Sequence, residues 1–296
     1  MISMSKSKSE PIRVIEQVAE WSMKLSQPHL ADYGATTSRH DFTQRQLMSC
    51  LILRAYLKTT YRGLVEVLAI SPNLRQRLGL GEKLPHYTTL QKFSARTEVL
   101  AIAQKLIATI AQKATARAPI QAAAMDSTGL TLNKASDYFR IRRGKQEAVR
   151  KWVKVSVVVL CGSLLPAALL VNMGPCSEYR LAPGLLAQAQ AVTRPERLYA
   201  DAGYDAEWIH QHCREQWGVT SVIPAIQRRA DGAVGGPWRA QMTSEYLRAQ
   251  GYGKRWAVES FFSGLKRTMG SALTARLPHQ MLAEATFRVL AYALRR

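Results

Sequence analysis

The sequence predicts a mixed α/β protein that opens with an all-helical region, and three observations carry that reading. Up to about residue 118, apolar side chains recur at three- and four-residue steps, the spacing of helices packed on one face. After Pro119 the pattern changes to short β-branched runs alternating with helical stretches. A hydrophobic content of 47% over 296 residues supplies a sizeable core without staples. Residues 1–118 are therefore expected as a helical N-terminal region and residues 119–296 as an α/β region.

The opening MISMSKSKSEP is polar and basic and lacks the apolar centre of a signal peptide. Helical spacing then appears in IRVIEQVAEWSMKL, FTQRQLMSCLILRAYL, YRGLVEVLAI and VLAIAQKLIATIAQKA. Thr43, Thr60 and Ser71 suit N-caps, and Pro72 suits a first helical turn. From Thr60 to Arg96 the chain reads as short helix, loop and short helix, broken at LGLGEKLP and closed by YTTLQKFSAR. In that last helix Thr88, Thr89, Gln91, Lys92 and Arg96 are residue types that reach bases and phosphates from a groove-reading helix. A helical bundle with no such role remains the alternative.

The second half reads as strand Ile120–Asp126, a basic loop, a hairpin of Trp152–Leu160 and Leu164–Asn172, and helix Ala182–Ala191. Strand Arg197–Asp201, helix Ala206–Trp217, strand Val219–Pro224 and helix Arg255–Met269 follow. The uncharged run from Val155 to Val171 falls short of the roughly 20 apolar residues of a membrane span and is broken at Cys161-Gly162-Ser163. Two core strands joined by a tight Gly-Ser turn fit it better. A short insertion around 225–252, rich in Gly and Arg, precedes the final helix.

A net charge of +20 and a pI near 10.2 favour a polyanionic partner, and nucleic acid is the first choice over a membrane surface. Cys50, Cys161, Cys176 and Cys213 lack disulfide or zinc spacing and read as free thiols in a reducing, cytoplasmic compartment. His210-x-His212-Cys213 does not make a zinc site, because i and i+2 on a helix do not face each other, and is expected on a surface helix. The loop after Asp126 carries Lys134, Arg140, Arg142, Arg143, Lys145, Arg150, Lys151 and Lys154, a track suited to a DNA backbone.

Two acids share a local pattern: Asp126 ends IQAAAMD and Asp201 ends RLYAD, each closing a strand-length apolar run before small residues. Such strand ends are where α/β sheets present ligand groups. Asp205 is placed to cap the following turn, leaving Asp201 free. A third acid, Glu259, lies in YGKRWAVESFFSGLK, where helical steps put Tyr252, Arg255, Glu259 and Lys266 within roughly 60° of arc on one face. Val258, Phe261, Phe262, Leu265 and Met269 form the adjoining apolar stripe.

The order Asp126, Asp201, Glu259, the last within Tyr-x2-Arg-x3-Glu-x6-Lys, resembles the DDE transposases of bacterial insertion sequences, and among them the group with that four-residue signature. The resemblance spans roughly residues 40–296. It implies a ribonuclease H-like mixed sheet flanked by helices, with the N-terminal helices binding DNA. It further implies that Asp126, Asp201 and Glu259 hold two Mg²⁺ ions, with Mn²⁺ substituting, and that Asp126 bridges them. Two such ions about 4 Å apart activate the nucleophile and stabilise the leaving oxygen. Arg255 and Lys266 are expected to hold strand phosphates, Tyr252 to stack on an unstacked base or bind a phosphate, and Trp256 to meet such a base or pack inside. The implied partners are double-stranded transposon ends and target DNA, with a homodimer in the synaptic complex, no membrane, and a place on the bacterial nucleoid. The activity implied is binding of terminal inverted repeats, strand cleavage and strand transfer. A nuclease of the same fold without strand transfer, or a catalytically lapsed DNA-binding regulator, are the alternatives.

Overall fold

The computed structural model describes residues 13–37, 39–116, 119–132, 152–227 and 232–296. Its helical part comprises α1 (Val14–Ser26), α2 (Gln44–Leu57), α3 (Tyr61–Ile70), α4 (Pro72–Arg77), α5 (Tyr87–Ser94) and α6 (Thr97–Thr115). Thr43 opens α2 in a capping box with Gln46, and the Thr60 hydroxyl accepts the Gly63 N–H at 3.0 Å. Ser71 differs from expectation. Its side chain caps nothing; its N–H closes α3 on the Leu68 carbonyl, and Pro72 starts α4 unaided. Helix α2 buries Leu47 through Leu53, so it is wrapped on nearly all sides and forms the centre of this part.

The sheet contains β1 (Ala122–Leu132), β2 (Val153–Leu160), β3 (Pro166–Met173), β4 (Arg197–Ala200), β5 (Thr220–Val222) and β6 (Ala272–Leu273). Its order is β3-β2-β1-β4-β5, with β6 beside the far end of β1. Strands β1, β2 and β3 form an antiparallel meander, while β4 runs parallel to β1 and β5 parallel to β4. Helix α7 (Glu178–Val192) carries the chain from β3 to β4. Helix α8 (Glu207–Gln211) and a π-helical turn (His212–Gln216) carry it to β5. Short α9 (Ser244–Ala249) precedes α10 (Trp256–Met269) and the C-terminal α11 (Pro278–Arg295). A three-stranded meander followed by alternating helix and parallel strand is the ribonuclease H-like arrangement expected from the sequence.

Two boundaries move by four residues or more. Strand β1 continues through Asp126 to Leu132, because β2 pairs with it as far as Leu130 and β6 pairs with Thr131 and Leu132. Strand β6 is held in turn by α11, where Arg288 donates to the Gly270 and Ala272 carbonyls and pairs with Glu284 at 2.6 Å. Helix α7 starts four residues early, at Glu178, with Pro183 inside it. The hairpin between β2 and β3 turns through Cys161–Leu164, Leu164 taking the left-handed conformation at φ 55°.

Alternation along the strands sorts the core onto two faces. Ala122, Ala124, Val153, Val155, Val157 and Val159 join one hydrophobic cluster with α1–α6, α10 and α11. Ala123, Met125 and Val158 face α7 and α8 on the other side. Helix α11 packs on α2, α6 and β3, so the core runs across the change from helix to strand near residue 118. Among the described residues, no helix is long and apolar enough to cross a membrane.

Candidate active site

Strand register puts two acids side by side. Met125 of β1 pairs with Ala200 of parallel β4, so the next residues, Asp126 and Asp201, emerge as neighbours. Asp126 keeps the alternation of Ala122 and Ala124 and therefore belongs to the face covered by α10. Its Oδ1 accepts the Ser127 N–H at 2.7 Å and its Oδ2 accepts from Arg255 at 3.2 Å. Burial pushes its carboxyl up to about 6; the Ser127 N–H and Arg255 pull it down, while Asp201 and Glu178 add to the rise.

Asp201 stands where β4 ends and caps the 3-10 turn Ala202–Tyr204, its Oδ1 accepting the Gly203 N–H at 2.9 Å. The expectation that Asp205 would take this role is corrected. Asp205 is buried, accepts the Ile226 N–H, and receives Arg239 at 2.6 and 2.7 Å, which ties the segment before α9 back to the sheet. Burial, then Glu178, raises the Asp201 carboxyl against the pull of the Gly203 N–H, Arg255 and Lys154.

The third acid arrives from α10. Glu259 is mostly exposed, and Arg255, one helical turn earlier, donates to it with one guanidinium nitrogen while the other reaches Asp126. Tyr252 opens the 3-10 turn that leads into α10. Its hydroxyl donates to the Ala200 carbonyl at 3.2 Å, and its ring meets Tyr199 edge-on. Tyr199 donates to the Gln250 carbonyl at 2.8 Å. Two tyrosines thus tie the strand end that bears Asp201 to the segment that bears Arg255. Lys266 lies further along α10, partly exposed and with no ion-pair partner among the described residues.

Beneath the acids lies a hydroxyl network that sequence reading did not find. Ser127 Oγ bonds Ser156 at 2.7 Å and the buried Tyr204 hydroxyl at 2.9 Å, which joins the turn after Asp201 to β1 just past Asp126. Ser127 directly follows Asp126 and Tyr204 stands three residues after Asp201, but only the assembled sheet shows their contact. Glu178, at the start of α7, was also missed. It pairs with Lys154 at 2.9 Å beside Asp201.

The other expected residues fall elsewhere. Trp256 is 59% exposed and lines a groove of about 610 Å³ beside the start of β1, with Ile120, Leu160, Cys161 and Lys254, apart from the acids. Lys154 is mostly buried and paired with Glu178 rather than lying open on a basic track. Arg142, Arg143 and Lys151 lie outside the described residues. Helix α5 exposes Thr89, Gln91 and Lys92 and half-exposes Thr88, with Arg62 stacked over Tyr87 at its first turn. His210 is buried against Ser221 and Cys213 is buried, which corrects the expected surface helix: of the three only His212 is partly exposed.

Among the described residues no three His, Cys, Asp or Glu side chains converge closely enough to enclose an ion. The donor set nevertheless suits hard divalent cations: Asp126 and Asp201 are carboxylates with raised proton affinity, and a guanidinium supplies positive charge between Asp126 and Glu259.

The family model described as "Transposase DDE domain" matches residues 117–294, and the one described as "Transposase domain (DUF772)" matches residues 2–96. No curated protein matches the chain. Among solved structures, a cryo-EM structure of piggyBac transposase in a synaptic complex with hairpin DNA is similar with TM-score 0.48 and 11% identity, covering 95% of this chain and 71% of that one.

Proposed function

The chain belongs to the transposase DDE domain family and is a DNA transposase, and we propose that Asp126, Asp201 and Glu259 are its catalytic acids, acting on the terminal inverted repeats of its element. The observation that supports this most directly is the register of β1 and β4, which sets Asp126 beside Asp201, together with Arg255 bridging Asp126 to Glu259.

The family depends on divalent metal, and two Mg²⁺ ions, replaceable by Mn²⁺, suit these carboxylates. When bound, they supply the activation of water or a 3′-hydroxyl and the stabilisation of the leaving oxygen. The chain's own residues do the rest. Asp126 would hold metal in its ionised form, which prevails above about pH 6, and Arg255, placed by Asp126 and Glu259, would face a strand phosphate. Lys266 adds a second cation along the same helix. Tyr252 holds the Asp201 strand end through Ala200 while its ring edges the site. Thr88, Thr89, Gln91 and Lys92 on α5 read the transposon end, and Arg142, Arg143 and Lys151 follow its backbone. Trp256 contacts DNA away from the reacting phosphate.

Two ends must be joined at once, so the working complex is a dimer on DNA. The test is strand transfer: a labelled DNA end carrying the repeats that flank the gene, incubated with Mg²⁺ and plasmid, is expected to be joined to the plasmid. Cutting without joining would reduce the reading to a nuclease.

A further inference from the structure

We propose that Glu178 is a fourth carboxylate of the divalent-metal site, a ligand shared with Asp201 and held in place by Lys154. The proposal rests on the reading of Asp126, Asp201 and Glu259 as that site, and it is carried by how the two oxygens of Glu178 are used. Oε1 accepts from Lys154 Nζ at 2.9 Å. Oε2 has no donor among the described residues and faces the turn that Asp201 caps.

Gly203 shows how tight that approach is. A Cβ there would stand 2.5 Å from Glu178 Oε2 and 2.9 Å from Asp201 Oδ1, so the two carboxylates meet over the one residue that has no side chain. Glu178 lies close enough to repel both Asp201 and Asp126. Like charges gathered this way cost stability unless a cation settles among them.

Glu178 is also held as a ligand would be. Lys154 projects from β2, where it sits opposite Gly129 of β1 and Asn172 of β3, and its ammonium donates to the Cys176 carbonyl at 2.8 Å as well as to Glu178. The lysine is mostly buried and so has little freedom to move. On the next residue, Tyr179 packs edge-on against Trp208, which pins the first turn of α7 to α8. One oxygen fixed by an outer cation and the other left facing a second carboxylate is how an outer-shell partner orients a metal ligand. A purely structural β2–α7 ion pair does not require that second oxygen to face Asp201.

The test is Mn²⁺ binding to the full chain without DNA, measured by calorimetry at neutral pH. Glu178→Gln is expected to weaken binding by about tenfold or more. Glu178→Asp keeps the charge but withdraws the oxygens by one methylene, and it is expected to weaken binding as well. If Glu178→Gln binds Mn²⁺ as tightly as wild type, the proposal is overturned. If only Glu178→Gln weakens binding and Glu178→Asp does not, Glu178 acts by charge alone and ligation is overturned. Should Glu178→Gln fail to fold, Glu178→Asp decides alone on the same criterion. Asp201→Asn in the same titration separates the two readings: its indifference to Mn²⁺ would refute the site itself, whereas a loss there with none at Glu178 would refute only the fourth ligand.

Discussion

Arg255 donates to Asp126 Oδ2 across 3.2 Å while its second nitrogen holds Glu259, so one guanidinium joins the interior of β1 to the first turn of α10. The fork is the point of this arrangement, because a lysine ammonium cannot reach two carboxylates with fixed planar geometry. Arg255→Lys is therefore expected to lower cleavage of transposon ends by roughly a hundredfold although the charge is kept. The change in stability, measured by urea unfolding, should stay near 1 kcal/mol. Near wild-type cleavage would show that only the charge matters.

The raised carboxyl of Asp126 sets a pH dependence. Its folded value, about 6, lies above the ordinary 3.8, so between those values the native state binds more protons than the unfolded chain. Stability of the metal-free protein should therefore fall as pH rises through that window, and the Asp126 penalty is fully present above it. Asp126→Asn removes the penalty. In chelator, urea titrations should show the variant gaining on wild type by about 2 kcal/mol between about pH 4 and about pH 7. A pH-independent difference would mean that Asp126 ionises as an ordinary surface acid.

Tyr204 and Ser127 should behave as one unit. Tyr204→Phe and Ser127→Ala each remove a hydroxyl from the same buried chain and should each cost about 1 kcal/mol in urea unfolding. The double variant should cost clearly less than the two together, because either change already breaks the link. Strict additivity would show that the hydroxyls act separately.

Helix α5 separates two kinds of contact with DNA. Lys92→Ala should weaken binding to end DNA and unrelated DNA alike and reduce the slope of log affinity against log salt by about 1. Gln91→Ala should leave that slope in place and relax preference for the end sequence by about 1–3 kcal/mol at one position. If neither substitution alters DNA binding, α5 is not the reading helix.

Most of the architecture was legible because it rests on local signals. Apolar periodicity located the helices, β-branched runs located the strands, and Thr43 and Thr60 cap where their sequences place them. What escaped reading depends on distant pairing. Asp126 looked like a strand end because Ser-Thr-Gly follows it, yet β2 and β6 supply partners that carry β1 onward. The spacing around Glu259 put Arg255 four residues before it, but the structure places Tyr252 and Arg255 in a 3-10 turn ahead of α10 and shows Arg255 reaching Asp126 from 129 residues away. Glu178 fell outside the helix expected from Ala182 and drew no reading. Its meeting with Asp201 exists only once β3, α7 and the Ala202–Tyr204 turn are assembled. Trp256, expected either at an unstacked base or packed inside, is instead 59% exposed and lines the groove at the start of β1.

The assignment of Asp126, Asp201 and Glu259 as the catalytic acids is tested most directly at Glu259, since its exposed side chain can be altered without disturbing the core. Glu259→Gln keeps size and helical propensity and removes only the charge. End-labelled transposon DNA should be bound by this variant about as tightly as by wild type, while Mg²⁺-dependent cleavage drops below detection. Full cleavage by Glu259→Gln would contradict the assignment.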